Sequence, residues 1–235
     1  MITRICVFLG SSFGSQAEYA NAAAEFGIAC ARQGIGIVYG GASVGLMGVL
    51  ADSALAAGGE VIGVMPRAMI REERAHQRLT TLISVDSMHE RKQRMADLAD
   101  AFVALPGGIG TLEEVAEMFT WLQLGLHLKP VGLLNTQGFY DLFVAFVANM
   151  CARDFLIPAH HALLTVEENI ERLLDRMASA QHTRIPKPIY KERSGWISSQ
   201  IAASAPSIIA KGLPRRHARG ASTKDNGCSS KAAGD

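Results

Sequence analysis

The sequence predicts an α/β protein, a mainly parallel sheet covered by helices, and three observations point there. Short apolar runs at residues 5–9, 35–39, 61–65, 82–85, 101–105 and 131–134 alternate with longer segments of helical period. The first two runs are joined by residues 17–32, which carry Tyr19, Ala23, Phe26 and Cys30 at helical spacing, with Gly34 where a C-terminal cap belongs. That is a βαβ unit. Glycine clusters also follow directly on two of the runs, as they do where strands of such sheets hand over to helices.

Each later element follows the same logic. Ser87 and Glu90 have capping-box spacing and open a helix whose apolar positions are Met88, Met95, Leu98 and Phe102. Residues 109–122 carry Leu112, Val115, Phe119 and Leu122 at helical spacing, and residues 138–150 and 166–177 have helical patterns too. Leu142, Phe143 and Phe146 share one face of the first of these two. Arg67, Arg71, Arg74 and Arg78 form a row at helical spacing, the pattern of a solvated face.

Nearly half of the 235 residues are hydrophobic (49%), enough for one substantial core, and no apolar stretch reaches the ~18 positions of a membrane-spanning helix. The run at residues 5–9 is too short for a signal-peptide core, so a cytoplasmic location is expected. A net charge of +1 supplies no field for nucleic acid or anionic membrane. Any anion must therefore meet a local site. One domain is expected over residues 1–182, followed by an extension, 183–235, rich in Ser, Gly, Ala, Arg and Lys that is expected to be largely disordered. Its basic cluster, Arg215, Arg216 and Arg219, fits a solvated tail better than a nucleic-acid arm. Cys6, Cys30, Cys151 and Cys228 lack zinc-site spacing, and three of them are expected in the core. The histidines show no ligand spacing, so neither metal nor cofactor is expected.

The candidate chemistry lies in two segments. Pro106, Gly107, Gly108, Ile109, Gly110 and Thr111 stand between a strand and a helix, where glycines let the backbone approach a ligand and unpaired helix N–H groups favour an anion such as phosphate. Thr111 and Glu114 also have capping-box spacing, so an ordinary helix start is the competing reading. A second glycine cluster, Gly40, Gly41, Gly45 and Gly48, can face the same ligand. Upstream, Arg91 and Lys92 lie on the apolar face of their helix. Charges turned inward need anions opposite them, although a lysine there can also reach over the apolar stripe to solvent.

These residues resemble the Lonely Guy (LOG) family: LPGGIGTLEE fits its P-G-G-x-G-T-x-x-E signature, with SMHERK upstream at the family's spacing, and the similarity runs through TWLQLGLHLKPVGLLN over roughly the first 180 residues. The resemblance implies a Rossmann-like, three-layer αβα homodimer with a twisted sheet. It implies hydrolysis of a cytokinin riboside 5′-monophosphate, or of AMP, to the free base and ribose 5-phosphate. It assigns Arg91 and Glu114 as the catalytic pair. Lys92, Gly107, Gly108, Ile109, Gly110, Thr111, Leu112, Glu113 and Thr120 become substrate contacts, and Glu73, within Glu-x-Ala-His, a nucleotide-binding glutamate. Breaking an N-glycosidic bond builds positive charge on the ribose, and Glu114 could stabilise it or activate water. Glu113 and Glu117 are expected to line the helix face or to pair with a partner chain. Many relatives carry the label lysine decarboxylase, but nothing here provides a Schiff-base lysine context for pyridoxal phosphate. The rival from another class is a nucleotide or cofactor carrier on the same fold.

Overall fold

The computed structural model describes residues 1–70 and 75–185. Glu73, Arg71, Arg74, Cys228 and nearly all of the expected C-terminal extension lie outside them. The order of elements is β1 (Arg4–Phe8), α1 (Ala17–Arg32), β2 (Gly36–Tyr39), α2 (Gly45–Ala56), β3 (Val61–Pro66), β4 (Thr81–Val85), α3 (Met88–Leu98), β5 (Ala101–Ala104), α4 (Ile109–Leu124), β6 (Val131–Leu134), α5 (Asp141–Ala152), α6 (Pro158–His161), β7 (Leu164–Glu167) and α7 (Ile170–Ser179). Among the described residues the strands form one sheet, ordered β4-β3-β2-β1-β5-β6-β7, and every pairing is parallel.

Alternation along the strands builds two cores. From β1, Ile5 and Val7 join Phe26, Leu50 and Leu173 on the face covered by α1, α2 and α7. Cys6 and Phe8 point the other way, with Phe102, Met95, Met118 and Leu122 beneath α3 and α4. Phe102 is fully buried and stacks on Phe8 at 6.2 Å, so its truncation to alanine is expected to cost about 3–5 kcal/mol. The result is the three-layer, Rossmann-like arrangement.

Local chemistry sets the ends. Gly34, at φ 68°, closes α1: its N–H bonds Ala31 O at 3.1 Å, while Ile35 N–H reaches Cys30 O at 2.9 Å, the paired bonds of a left-handed glycine cap. Ser87 caps α3 by accepting from Glu90 N at 3.1 Å, but the Glu90 carboxylate accepts from Asp86 N rather than Ser87 N, so the reciprocal half of the capping box is displaced by one residue. Lys129 donates to Ala96 O at 2.7 Å near the other end of α3, and its own N–H bonds Nδ1 of His127 at 3.1 Å. Residues 126–130 of the TWLQLGLHLKPVGLLN stretch thus serve as a buckle between α3 and β6.

Several expectations need correction. A seventh strand, β7, occupies the start of the segment expected to be helical from 166, and α7 begins only at Ile170, where Asn169 Oδ1 accepts from Arg172 N at 2.9 Å. Helix α5 starts at Asp141 rather than 138, because Gln137 and Gly138 sit at φ 55° and 69° in a separate turn. Its Leu142 and Phe146 are exposed, and Val147 faces the core instead. The described part of the arginine row is not helical: Ala75 bridges Ala42 in antiparallel fashion, Arg67 pairs with Asp86, and Arg78 with Asp52. Cys6 and Cys30 are buried, but Cys151 is only half-buried.

Candidate active site

Strand order reverses between β1 and β5, so the loops after these strands splay apart at the carboxyl edge of the sheet, the place where open α/β sheets bind ligands. Here the loops are tied together. Gly10 N donates to Pro106 O at 3.1 Å, and Gly10 O accepts from Leu46 N of α2 at 3.1 Å. A side chain on Gly45 (φ 56°) would overlap the backbone of Ser11. Loops from β1, β2 and β5 therefore meet backbone to backbone.

Gly107, Gly108 and Gly110 do different work. A Cβ at Gly107 would collide with the Thr111 hydroxyl and lie 2.8 Å from Gly10 N, so this glycine is required by packing. Gly108 and Gly110 face open space: a Cβ added at either would find no protein atom within 4 Å. Neither has a positive φ. Gly108 is the N-cap of α4 and offers no side chain, which leaves the first N–H groups of a 16-residue helix without a side-chain cap and an unobstructed approach to them. This geometry removes the capping-box reading, since Thr111 is already inside the first turn, buried, and not the cap.

Arg91, on α3, is 6% exposed. Its Nη2 donates to Gly40 O at 3.2 Å and Nη1 approaches Met88 Sδ at 3.8 Å, while Nε is buried without a partner. No ion pair joins Arg91 to a carboxylate among the described residues. A guanidinium held this deeply, with a carbonyl and a thioether as its contacts, has the capacity to take an anion. Lys92 is engaged: Nζ lies 2.7 Å from Glu113 Oε1 and 3.0 Å from Glu117 Oε2. The two glutamates, expected to line the helix face or to pair with a partner chain, thus share a lysine of the same chain.

Glu114 is half-buried on α4 and lines a small pocket with Phe8, Lys92, Glu117 and Met118. Burial pushes its carboxyl up from the ordinary 4.5 to about 7, against the pull of Arg91 and Lys92 and with help from Glu113 and Glu117. It exchanges a proton near neutrality. An uncapped helix terminus thus begins α4, and further along the same helix a titratable carboxyl lies within electrostatic reach of a buried guanidinium.

The family model described as "Possible lysine decarboxylase" matches residues 47–177. "Probable cytokinin riboside 5'-monophosphate phosphoribohydrolase LOGL9" of Oryza sativa subsp. japonica is 46% identical over 174 residues, which are 74% of this chain and 77% of that protein. The chain belongs to the Lonely Guy family. A second Lonely Guy relative, "Cytokinin riboside 5'-monophosphate phosphoribohydrolase LOG1" of Arabidopsis thaliana, is 39% identical over 205 residues, 86% of this chain and 93% of its own. In fold the chain is similar to the molybdenum cofactor carrier protein of Chlamydomonas reinhardtii, with a TM-score of 0.58 and 22% identity over 77% of this chain and 100% of that one. The molybdenum cofactor binding protein from the phototrophic bacterium Rippkaea orientalis gives 0.57 and 20%, over 76% and 97%. At that identity the likeness concerns the fold alone.

Of the residues named from the Lonely Guy signature, Lys92 and Glu114 line one small pocket, Glu113 pairs with Lys92, Arg91 lies within electrostatic reach of Glu114, and Gly107, Gly108, Gly110 and Thr111 form the start of the helix that carries Glu113 and Glu114. Ile109 is exposed beside the open glycines, and Leu112 packs partly into the core. Thr120 stands six residues beyond Glu114, about 9 Å along the helix axis, with its hydroxyl donating to Ala116 O at 2.7 Å. Glu73 lies outside the described residues. Sequence reasoning missed the roles of Gly40, whose carbonyl holds Arg91, and of Glu117, although the glycine cluster and the helix that carry them both stand out in the sequence.

Proposed function

We propose that the chain hydrolyses the N-glycosidic bond of a purine nucleoside 5′-monophosphate, an N6-modified (cytokinin) adenine nucleotide or AMP, to the free base and ribose 5-phosphate. The observation that carries this reading is Arg91, nearly fully buried and without an ion-paired carboxylate among the described residues, within electrostatic reach of a carboxyl group that burial raises to about 7. The phosphate would sit against the amides of Gly108 and Gly110, where no protein side chain intrudes. As the base departs with the bonding electrons, charge develops on the ribose. Ionised Glu114 stabilises that charge and takes a proton from the attacking water as its oxygen bonds the ribose carbon; the departed base takes up one proton from solvent, and Glu114 later returns its own. Arg91 orients phosphate or ribose oxygens and favours the ionised form of Glu114; an arginine does not give up a proton here.

A carrier would need the anion site but no titrating carboxyl, and the two relatives described above are named as hydrolases. Glu73 and Thr120 are proposed as further substrate contacts on the family resemblance. Exposed Leu142 and Phe146 on α5, with Leu124, Leu126 and Leu128 at and after the end of α4, support a homodimer. The experiment is chromatographic detection of base release from AMP and from its N6-isoprenoid analogue. Release of adenine or its derivative with stoichiometric ribose 5-phosphate is the expected result, and tight binding without turnover would leave the carrier.

A further inference from the structure

Glu114 is not the only carboxylate in its pocket. Glu117 stands one helical turn further along α4 and lines the same small space with Phe8, Met118 and Lys92. Lys92 could neutralise Glu114. Instead its ammonium sits 2.7 Å from Glu113 and 3.0 Å from Glu117, and no ion pair links it to Glu114 among the described residues. The two halves of this clamp differ in shelter: the side chain of Glu113 is 55% exposed, those of Glu117 and Lys92 only 26% and 13%. Water and salt weaken the outer contact more than the inner one.

We propose that Glu117 is a positioning residue for the catalytic carboxyl: together with Glu113 it engages Lys92, so that the ammonium does not close an ion pair with Glu114. The inference rests on the phosphoribohydrolase reading above. Every charge facing Glu114 enters the balance. From α3 come Arg91 and Lys92, and from α4 come Glu113 and Glu117; from β1 comes the Cys6 thiol, which burial keeps protonated. Glu117 acts on Glu114 twice in the same direction. Its own negative charge disfavours ionisation of its neighbour, and its ion pair with Lys92 keeps that ammonium from closing directly on Glu114, so that Lys92 acts on Glu114 only from a distance. A Glu114 paired with Lys92 would be a permanently ionised carboxylate, able to stabilise charge but poor at taking a proton from water. A Glu114 left unpaired retains both abilities near neutral pH.

The test is the titration of Glu114 itself, read by ¹³C NMR of glutamate-carboxyl-labelled full-length protein and assigned through Glu114→Gln, together with the pH dependence of kcat for base release. Glu117→Gln is expected to move the Glu114 midpoint and the corresponding limb of the rate profile to lower pH by about one unit or more, because one repulsive charge is lost and Lys92, left with only its exposed contact to Glu113, is freer to approach Glu114. Glu113→Gln should move both by less, since its contact is wet, and Glu117→Asp should restore most of the parent midpoint. Lys92→Met serves as a second probe and should raise the midpoint. An unchanged midpoint in Glu117→Gln, or equal shifts in Glu113→Gln and Glu117→Gln, would overturn the proposal. Should Glu114→Gln hydrolyse nucleotide at the parent rate, the catalytic reading fails instead, and the NMR midpoints still decide whether Glu117 governs Glu114.

Discussion

Gly40 and Arg91 are fitted to each other: the glycine carbonyl accepts from Nη2 at 3.2 Å, and the same nitrogen fills the space that a side chain at Gly40 would need. Gly40 has no positive φ, so alanine is conformationally allowed there. The obstacle is only the far end of a flexible arginine, which can move aside. Gly40→Ala should therefore change folding stability by less than about 1 kcal/mol yet lower kcat/KM for nucleotide hydrolysis by ~10-fold or more. Urea melts and steady-state rates on the same preparation check it; parallel losses in both would show that Arg91 is held for stability alone.

Glu114 links activity to stability in opposite senses. Its folded-state pKa of about 7 lies above the ordinary 4.5, so the native chain keeps a proton that the unfolded chain has released between these values. The contribution to stability is full below pH 4.5 and is lost as pH rises through 7. Glu114→Gln should thus be more stable than the parent at pH 8, by on the order of 1–3 kcal/mol, and lose that advantage at pH 4. Its turnover should be abolished. Denaturant midpoints at the two pH values, with base release at pH 7, test both halves.

The open glycines make a sharper test of the anion site than the buried one. Gly110→Ala meets no protein atom and removes a poor helix former from the first turn of α4, so thermal stability should hold or rise slightly, by up to ~1 kcal/mol. Nucleotide affinity should fall, because the methyl group stands where the phosphate would approach. In the parent, kcat/KM for AMP should exceed that for adenosine by ~10²-fold or more, since a cluster of charge-assisted hydrogen bonds contributes several kcal/mol. Equal efficiencies for AMP and adenosine would remove phosphate from this loop.

Acid should act at the opposite end of the sheet. Burial holds His127 at about 4 against an ordinary 6.5, with Lys129 adding to the effect, and burial lowers His182 as well. Because the unfolded chain takes up these protons first, stability is complete above pH 6.5 and declines as pH falls through 4. His127→Gln should lessen the decline between pH 7.5 and pH 4.5 by on the order of 1 kcal/mol. Urea midpoints at both values would show it, and parallel curves for parent and variant would sink the assignment.

Leu142 is 87% exposed and Phe146 57% exposed, one turn apart on a helix whose single buried residue is Val147. The double change Leu142→Glu and Phe146→Glu should convert a dimer to a monomer in light scattering at micromolar concentration while leaving the circular dichroism spectrum intact. A parent that already scatters as a monomer would refute the homodimer.

Legibility followed burial. Strands β1, β2, β3, β5 and β6 are covered on both faces and appear in the sequence as unbroken apolar runs. Strand β7 lies at an edge, is only partly buried and ends in glutamate, so it merged with the helix that follows. The burial of Arg91 was legible because the charge falls on the apolar stripe of its helix. Gly40 and Glu117 were not, since each gains its role from a partner, Arg91 or Lys92, that lies 51 or 25 positions away and is brought close only by the fold. The competing reading of Thr111 as a cap arose for a similar reason: a glycine can begin a helix without any side-chain signal.

The pairing of β1 with β5 also dictates when the site can exist. Asp100 accepts from the N–H groups of Thr3 and Arg4 at 2.8 and 3.0 Å, spanning 97 and 96 positions, and Gly10 waits for Pro106 in the same way. A chain still emerging from a ribosome can assemble β1, β2 and β3 from its first 66 residues, yet it has neither the flank that completes β1 nor the amides that would greet a phosphate. Nucleotide can thus reward only a chain already grown past α4: it cannot template early folding, and no shorter N-terminal fragment should be rescued by it. Ligand-dependent protection from proteolysis ought to appear abruptly, with chain lengths that include α4, rather than grow in step with synthesis.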